Sequence, residues 1–251
     1  MPSAYLRFYA ELNDFLPPDR RQQVWERQFT VSPTVKDMIE SLGVPHTEID
    51  LILANGRSVG FDYRVQDGDH ISVYPMFESL DITPLLRLRP RPLRTPRFVL
   101  DIHLGRLTAY LRMAGFDALY RNDYSDEELA SVSAQEGRIL LTRDRGVLKR
   151  SQVTRGYWVR ATGPREQLAE VLHRFDLFGQ MSPFCRCLRC NGLLQAVRKE
   201  EIADRLLPDT LRRYDEFALC PDCGRVYWKG SHYERMLKFI GGFGAGNTRS
   251  F

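Results

Sequence analysis

Four cysteines constrain this chain more than any other feature: Cys187-x-x-Cys190 and, 29 residues later, Cys220-x-x-Cys223. Cysteines this close on a tight turn can both face one ion, and two such turns close a tetrahedral site. The spacing therefore points to a structural Zn²⁺. A redox dithiol, or buried cysteines without metal, is the competing reading. In the run CRCLRC either Cys185 or Cys187 can partner Cys190; the two-residue spacing favours Cys187 and leaves Cys185 without an assigned task. Four protein ligands leave no open position, so such a zinc supports the fold and takes no part in chemistry.

The remainder of the 251 residues, 43% hydrophobic overall, has material for one large or two small cores. The N-terminus has no basic segment followed by an apolar run, and no stretch approaches the roughly 18 apolar residues of a membrane span. The expectation is a cytoplasmic protein with no membrane partner. Charge is distributed unevenly. Residues 1–80 carry 7 Lys and Arg against 12 Asp and Glu, a net of −5, while residues 81–251 carry 29 against 20, a net of +9. Only the second part is suited to lie near phosphates, although an ordinary solvated surface explains the excess equally well.

Residues 1–80 alternate apolar and polar side chains in AYLRFYAEL, and a second strand-like run, VWERQFTV, follows Pro17-Pro18. Thr34-x-x-Asp37 predicts a capped helix stopped at Gly43. Asn55-Gly56 predicts a hairpin, and DGDHISVYP a turn and a last strand. Strand, strand, helix, strand, strand is the order of a β-grasp, or ubiquitin-like, fold. Residues 81–96, ending in PLLRLRPRPLRTP, read as a linker whose arginines either are solvated or follow a nucleic-acid backbone.

From residue 97 to about 180 the pattern becomes an alternation of strands and helices, the mark of an α/β domain with a mainly parallel sheet. RFVLD ends at Asp101. LGRLTAYLRMAGF is a helix with Leu104, Leu107 and Leu111 on one face, DALY a short strand, and SDEELASVSAQEG a helix capped by Ser125. RILLT reads as a strand buried on both faces, with Asp144 just past its end; GYWVRA and a helix over Pro164–Phe175 complete the series. In a parallel sheet Asp101 and Asp144 would emerge at the same edge, where the helix beginning at Asp126 also starts. Three clustered carboxylates resist joint ionisation unless a cation sits among them, and Mg²⁺ or Mn²⁺ matches their oxygen donors. Asp after a strand is also an ordinary turn or cap residue. Arg143 and Arg145 flank Asp144, and Arg106 and Arg112 lie on the helix after Asp101. Each is a candidate phosphate partner or a surface residue.

Residues 181–251 hold the cysteines and a last helix. Ser231-x-x-Glu234 predicts that helix over about His232 to Ile240, ending at Gly241-Gly242. Lys229 and His232 at its start form a candidate anion site. Alternatively, Tyr227 and Trp228 pack on the ribbon and His232 is a first-turn polar residue.

RFVLDIHLGRLTAYLRMAGFDALY, SDEELA, GRILLTRDRGVL, RCLRCNGLL and CPDCGRVYWKGSHYERM, in this order, resemble the Mut-seven C-terminal RNase family over about residues 96–240. That family has a PIN-like nuclease fold with a C-terminal zinc ribbon. SLGVPHTEIDLILANG and DGDHISVYP resemble the ubiquitin-like domain that precedes it in many bacterial members. The resemblance implies metal-dependent hydrolysis of RNA, with Asp101, Asp126 and Asp144 at the positions of the family's acids. The fourth acid of many PIN domains has no counterpart in YWVRATG. A non-catalytic RNA-binding adaptor that recruits a protein partner through its ubiquitin-like domain is the alternative. No Gly-Gly ends that domain, which argues against a sulfur carrier. A phosphodiester poses the same problem in DNA.

Overall fold

The computed structural model describes residues 1–75, 88 and 96–244. Apart from Leu88 and Pro96, the expected linker therefore lies outside the described residues. In chain order the elements are β1 (Ser3–Phe8), β2 (Trp25–Gln28), α1 (Val35–Ser41), β3 (Ile49–Ala54), β4 (Arg57–Ser58), β5 (His70–Pro75), β6 (Arg97–Leu100), α2 (Gly105–Met113), β7 (Asp117–Tyr120), α3 (Asp126–Glu136), β8 (Ile139–Thr142), α4 (Arg145–Leu148), β9 (Gly156–Trp158), α5 (Pro164–Arg174), β10 (Gln195–Val197), α6 (Pro208–Arg213), β11 (Phe217–Leu219), β12 (Val226–Trp228) and α7 (Ser231–Gly244). They fall into two units, Met1–Thr95 with Ser125–Trp158, and Pro96–Tyr124 with Val159–Phe251. Among the described residues no helix is long and apolar enough to cross a membrane.

In the first unit, β1 buries Ala4, Leu6 and Phe8 and turns the intervening residues outward. It ends earlier than the alternation predicts. The Asn13 side chain donates to the Phe8 and Ala10 carbonyls at 3.0 and 2.9 Å, drawing residues 10–15 into a 3₁₀ turn. The remaining pattern gives a five-stranded sheet in the order β2-β1-β5-β3-β4, with β1 and β5 parallel, as in a β-grasp fold. Thr34 caps α1 by accepting the Asp37 N–H at 3.1 Å. Asn55 and Gly56, at φ 50° and 78°, make the tight turn between β3 and β4.

The same unit contains α3, β8, α4 and β9. Ser125 and Glu128 close a reciprocal capping box on α3. All four β8 residues are buried, and β8 pairs in parallel with β9. The β-grasp residues grip this segment. Glu48, only 2% exposed, accepts the Trp158 N–H at 2.6 Å. The two His46 ring nitrogens lie 2.6 Å from Glu40 Oε1 and 2.9 Å from the Val153 carbonyl.

In the second unit β6 and β7 pair in parallel, with α2 between them in sequence, and α2 packs on α5. Gly115 ends α2 at φ +100°. A Cβ there would stand 2.2 Å from the Ser182 carbonyl oxygen, so only glycine fits. Strands β10, β11 and β12 form an antiparallel ribbon. Helix α7 runs through the glycine pair predicted to stop it. Phe239 and Phe243 pack against each other at 5.3 Å and both meet the Arg165 guanidinium, while Ile240 is buried, so packing overrides glycine's poor helix propensity.

Candidate functional site

The ribbon is bent by two similar turns. In the first, Cys187 N–H donates to Gly192 O at 2.8 Å and Asn191 N–H to Cys187 O at 3.0 Å, with Asn191 at φ 77°. In the second, Cys220 N–H donates to Arg225 O at 2.9 Å and Gly224 N–H to Cys220 O at 2.8 Å, with Gly224 at φ 73°. Each turn thus needs a left-handed residue just after its second cysteine, and Asn and Gly are the types that adopt it most readily.

These turns bring the sulfurs together. Cys187 Sγ is 3.6 Å from Cys223 Sγ, Cys190 Sγ is 3.3 Å from Cys220 Sγ, and all four lie within 4.8 Å of one another. A tetrahedron with Zn–S of about 2.3 Å has sulfurs about 3.8 Å apart, so the four fit a metal such as zinc. Among the described residues this is the group of His, Cys, Asp and Glu that gathers in this way. Cys185 stands outside it, its Sγ 3.7 Å from the Gly115 carbonyl.

Burial alone would raise the Cys187 thiol, but the Tyr227 hydroxyl at 3.1 Å and the Cys190 and Arg189 N–H groups outweigh it and bring the pKa down to about 6. Burial pushes Cys190 up to about 12, helped by its neighbouring thiols, and also pushes Cys220 up. One ligand is therefore a thiolate at neutral pH, while these two must lose protons as a metal enters.

The first turn is fastened to β7 by residues whose role the sequence did not reveal. Asn191 accepts the Ala118 N–H at 3.0 Å and donates to Asp117 Oδ1 at 2.7 Å. Arg112 corrects an expectation. Instead of facing a phosphate it is 4% exposed, and its guanidinium donates to Ala118 O at 2.9 Å, Leu188 O at 3.0 Å and Arg189 O at 2.7 Å. The signal was its position: Arg112 follows Thr108 by four residues, and both lie on the buried side of α2.

The three aspartates share one local device, standing at or beside a helical start. Asp101, after β6, is 5% exposed and accepts the His103 N–H at 2.8 Å. Asp144, after β8, is exposed and accepts the Gly146 N–H through Oδ1 at 2.7 Å. Asp126 is exposed in the first turn of α3, its Oδ2 3.9 Å from Arg150. Asp126 and Asp144 belong to the first unit and Asp101 to the second. Within the first unit, α3 precedes β8 and packs on it, so the start of α3 and the end of β8 share an edge.

The remaining candidate cations occupy varied positions. Arg106 is exposed on α2 and Arg143 is half-buried. The Arg145 guanidinium lies 3.7 Å from the Trp158 ring centroid and 5.1 Å from that of Phe15, a stacked position that fixes its direction. Lys229 is ion-paired with Glu216, and His232 is exposed beside Arg235 at 3.5 Å. No acid on the β9 segment itself fills the fourth position, but one carboxylate meets its backbone and another meets the residues that follow it in the second unit. Glu48 meets Trp158 N, while Glu170 accepts the Arg160 and Ala161 N–H groups at 2.9 and 2.8 Å.

Comparison with known proteins supplies two findings. A family model described as the Mut7-C RNAse domain matches residues 96–240, and one described as Mut7-C ubiquitin matches residues 1–81. No curated protein and no solved structure matches the chain.

Proposed function

The chain belongs to the Mut7-C RNAse domain family, with a Mut7-C ubiquitin domain ahead of that domain, and from this membership we propose that it is a metal-dependent ribonuclease. The observation that carries the reading is Asp144. A fully buried strand delivers it to the edge of the fold as an exposed carboxylate with one oxygen fixed by a backbone N–H and the other directed by that bond.

In this reading Asp126 and Asp144 of the first unit and Asp101 of the second would be the carboxylates that hold Mg²⁺ or Mn²⁺, cations that prefer oxygen donors. Such a cation would supply an activated water and offset charge on the phosphate. Backbone N–H groups hold Asp101 and Asp144 in place before substrate arrives. Arg106 and Arg143 meet non-bridging phosphate oxygens, and Arg145, held against Trp158, adds positive potential. The four cysteines hold Zn²⁺ as a structural ion, and the acidic ubiquitin-like domain binds a protein partner.

One observation favours the alternative of an RNA-binding adaptor. Glu48 in the first unit and Glu170 in the second are each committed to backbone N–H groups, which leaves neither suited to hold a second cation. Labelled single-stranded RNA incubated with the chain in Mn²⁺ or Mg²⁺, and again with chelator, separates the two. Cation-dependent products support the nuclease; tight binding without products supports the adaptor.

A further inference from the structure

We propose that the cavity between the ribbon sheet and α7 receives a nucleobase of single-stranded RNA. The cavity measures about 280 Å³, just below the roughly 300–1,000 Å³ typical of small-molecule sites, a size suited to one flat ring system. Its floor is made shallow by sequence. Ala196, Ala218 and Tyr227 pair across β10, β11 and β12, so two methyl groups lie beside one aromatic ring. The Tyr227 ring is fixed at its far end, where its hydroxyl meets Cys187 Sγ and accepts the Leu188 N–H, both at 3.1 Å.

The wall is aromatic. Phe184 and Tyr233 meet with centroids 4.4 Å apart. Phe184 is held at φ +63°, a left-handed conformation that is strained for a bulky residue, and is tied by its N–H to the Met113 carbonyl at 3.0 Å. Trp228 remains 40% exposed at the rim. Beyond it a second cavity, of about 390 Å³, shares Tyr227, Trp228 and Tyr233 and is also lined by Arg225 and His232. The two cavities form a groove broken by aromatic rings. Successive bases can stack there while phosphates pass the cations.

The charges select this occupant over an apolar peptide. Arg186 and Lys229 line the first cavity and Arg225 the second, with Glu216 as the one opposing carboxylate, already paired with Lys229. Arg186 is held 3.8 Å from Asp117 and Lys229 by Glu216, so Arg225 is the cation at the groove that an apolar side chain would leave unused and a phosphate would meet. Rings flanked by cations are the means by which proteins grip single strands without reading their sequence. The inference rests on the ribonuclease reading only for the choice of RNA as the polymer; the groove lies apart from the aspartates in sequence and is built from residues 184–236.

The test is fluorescence anisotropy of the full, zinc-loaded chain with a labelled oligoadenylate of about 12 nucleotides, within the site sizes of single-strand binders, and no Mg²⁺ or Mn²⁺ present. Trp228→Ala is expected to weaken binding roughly 5–150-fold, the loss of one stacked base. An abasic strand of equal length should bind the wild-type chain more weakly, and Trp228→Ala should weaken it little further. Tyr233→Leu provides a second variant, with zinc content and thermal midpoint checked for both. Unchanged affinity in both variants, or an equal loss on the natural and abasic strands, overturns the proposal. Because binding is read without the catalytic cation, inactivity of the aspartates would leave this result standing, and a failed groove would leave cleavage intact.

Discussion

Replacing Arg112 by Met separates two accounts of one residue. As a phosphate ligand, Arg112 would affect RNA and leave the fold alone. As the structure has it, the guanidinium joins β7 to the first cysteine turn through three donated bonds of 2.7–3.0 Å. Met preserves the apolar stem and removes all three. A buried acceptor left without a donor costs about 1–3 kcal/mol. The Ala118 carbonyl, in a fully buried residue, bears that cost, whereas water can reach the other two carbonyls more easily, for a total of about 3 kcal/mol. In a chain of this size that lowers the thermal midpoint by roughly 6–12 °C. Burial also depresses the Arg112 pKa, against the opposing pull of the Cys187 and Cys190 sulfurs and Asp117, so its charge favours the thiolate form a metal requires. Its loss should weaken zinc binding about 10–100-fold, as expected for an outer-shell partner. Differential scanning calorimetry and competition with a chromophoric chelator measure the two effects. An unchanged midpoint and zinc affinity, with RNA binding alone reduced, would refute the reasoning.

Two further outcomes follow from the same geometry. Between pH 6.5 and 8 the zinc affinity should rise steeply with pH, because Cys187 is already a thiolate with a pKa of about 6 while Cys190 and Cys220, raised by burial, must surrender protons to the metal. Affinity must therefore fall on acidification and fall more steeply below pH 6; a flat profile from the chelator competition would contradict these proton assignments. Glu48→Leu should cost about 1–3 kcal/mol by leaving the Trp158 N–H without its acceptor, read as a lower urea midpoint, and an unchanged midpoint would show that contact to be dispensable.

Local signals carried much of the fold. The Thr34 cap, the Ser125 cap, the Asn55-Gly56 turn and the four-residue apolar run of β8 each depend on neighbours within a few residues, and each forms as its pattern predicts. Misses occurred where distant groups decide the outcome. Nothing near Gly241-Gly242 announces that Arg165 and two phenylalanines will carry α7 through them. Hydropathy treats Arg112 as a surface residue and cannot foresee three carbonyls waiting for it. Of the candidate site, the cysteine spacing was legible because zinc demands a fixed turn. The stacking of Arg145 on Trp158 was not, since it joins residues 13 positions apart through a ring that sequence places only loosely. Glu48 and Glu170 were hidden for a similar reason, because each meets backbone distant from it in sequence or in another segment: Trp158 for Glu48, Arg160 and Ala161 for Glu170.

Asp144→Asn asks whether the exposed carboxylate at the end of β8 serves RNA hydrolysis. Asn caps a helix about as well as Asp, so the bond to the Gly146 N–H can be kept while the charge is lost. The measurement is the rate of cleavage of labelled single-stranded RNA in Mn²⁺ by the wild-type chain and this variant, with thermal midpoints recorded alongside. The account predicts a loss of at least about 100-fold at an unchanged midpoint. Full activity in the variant would contradict it.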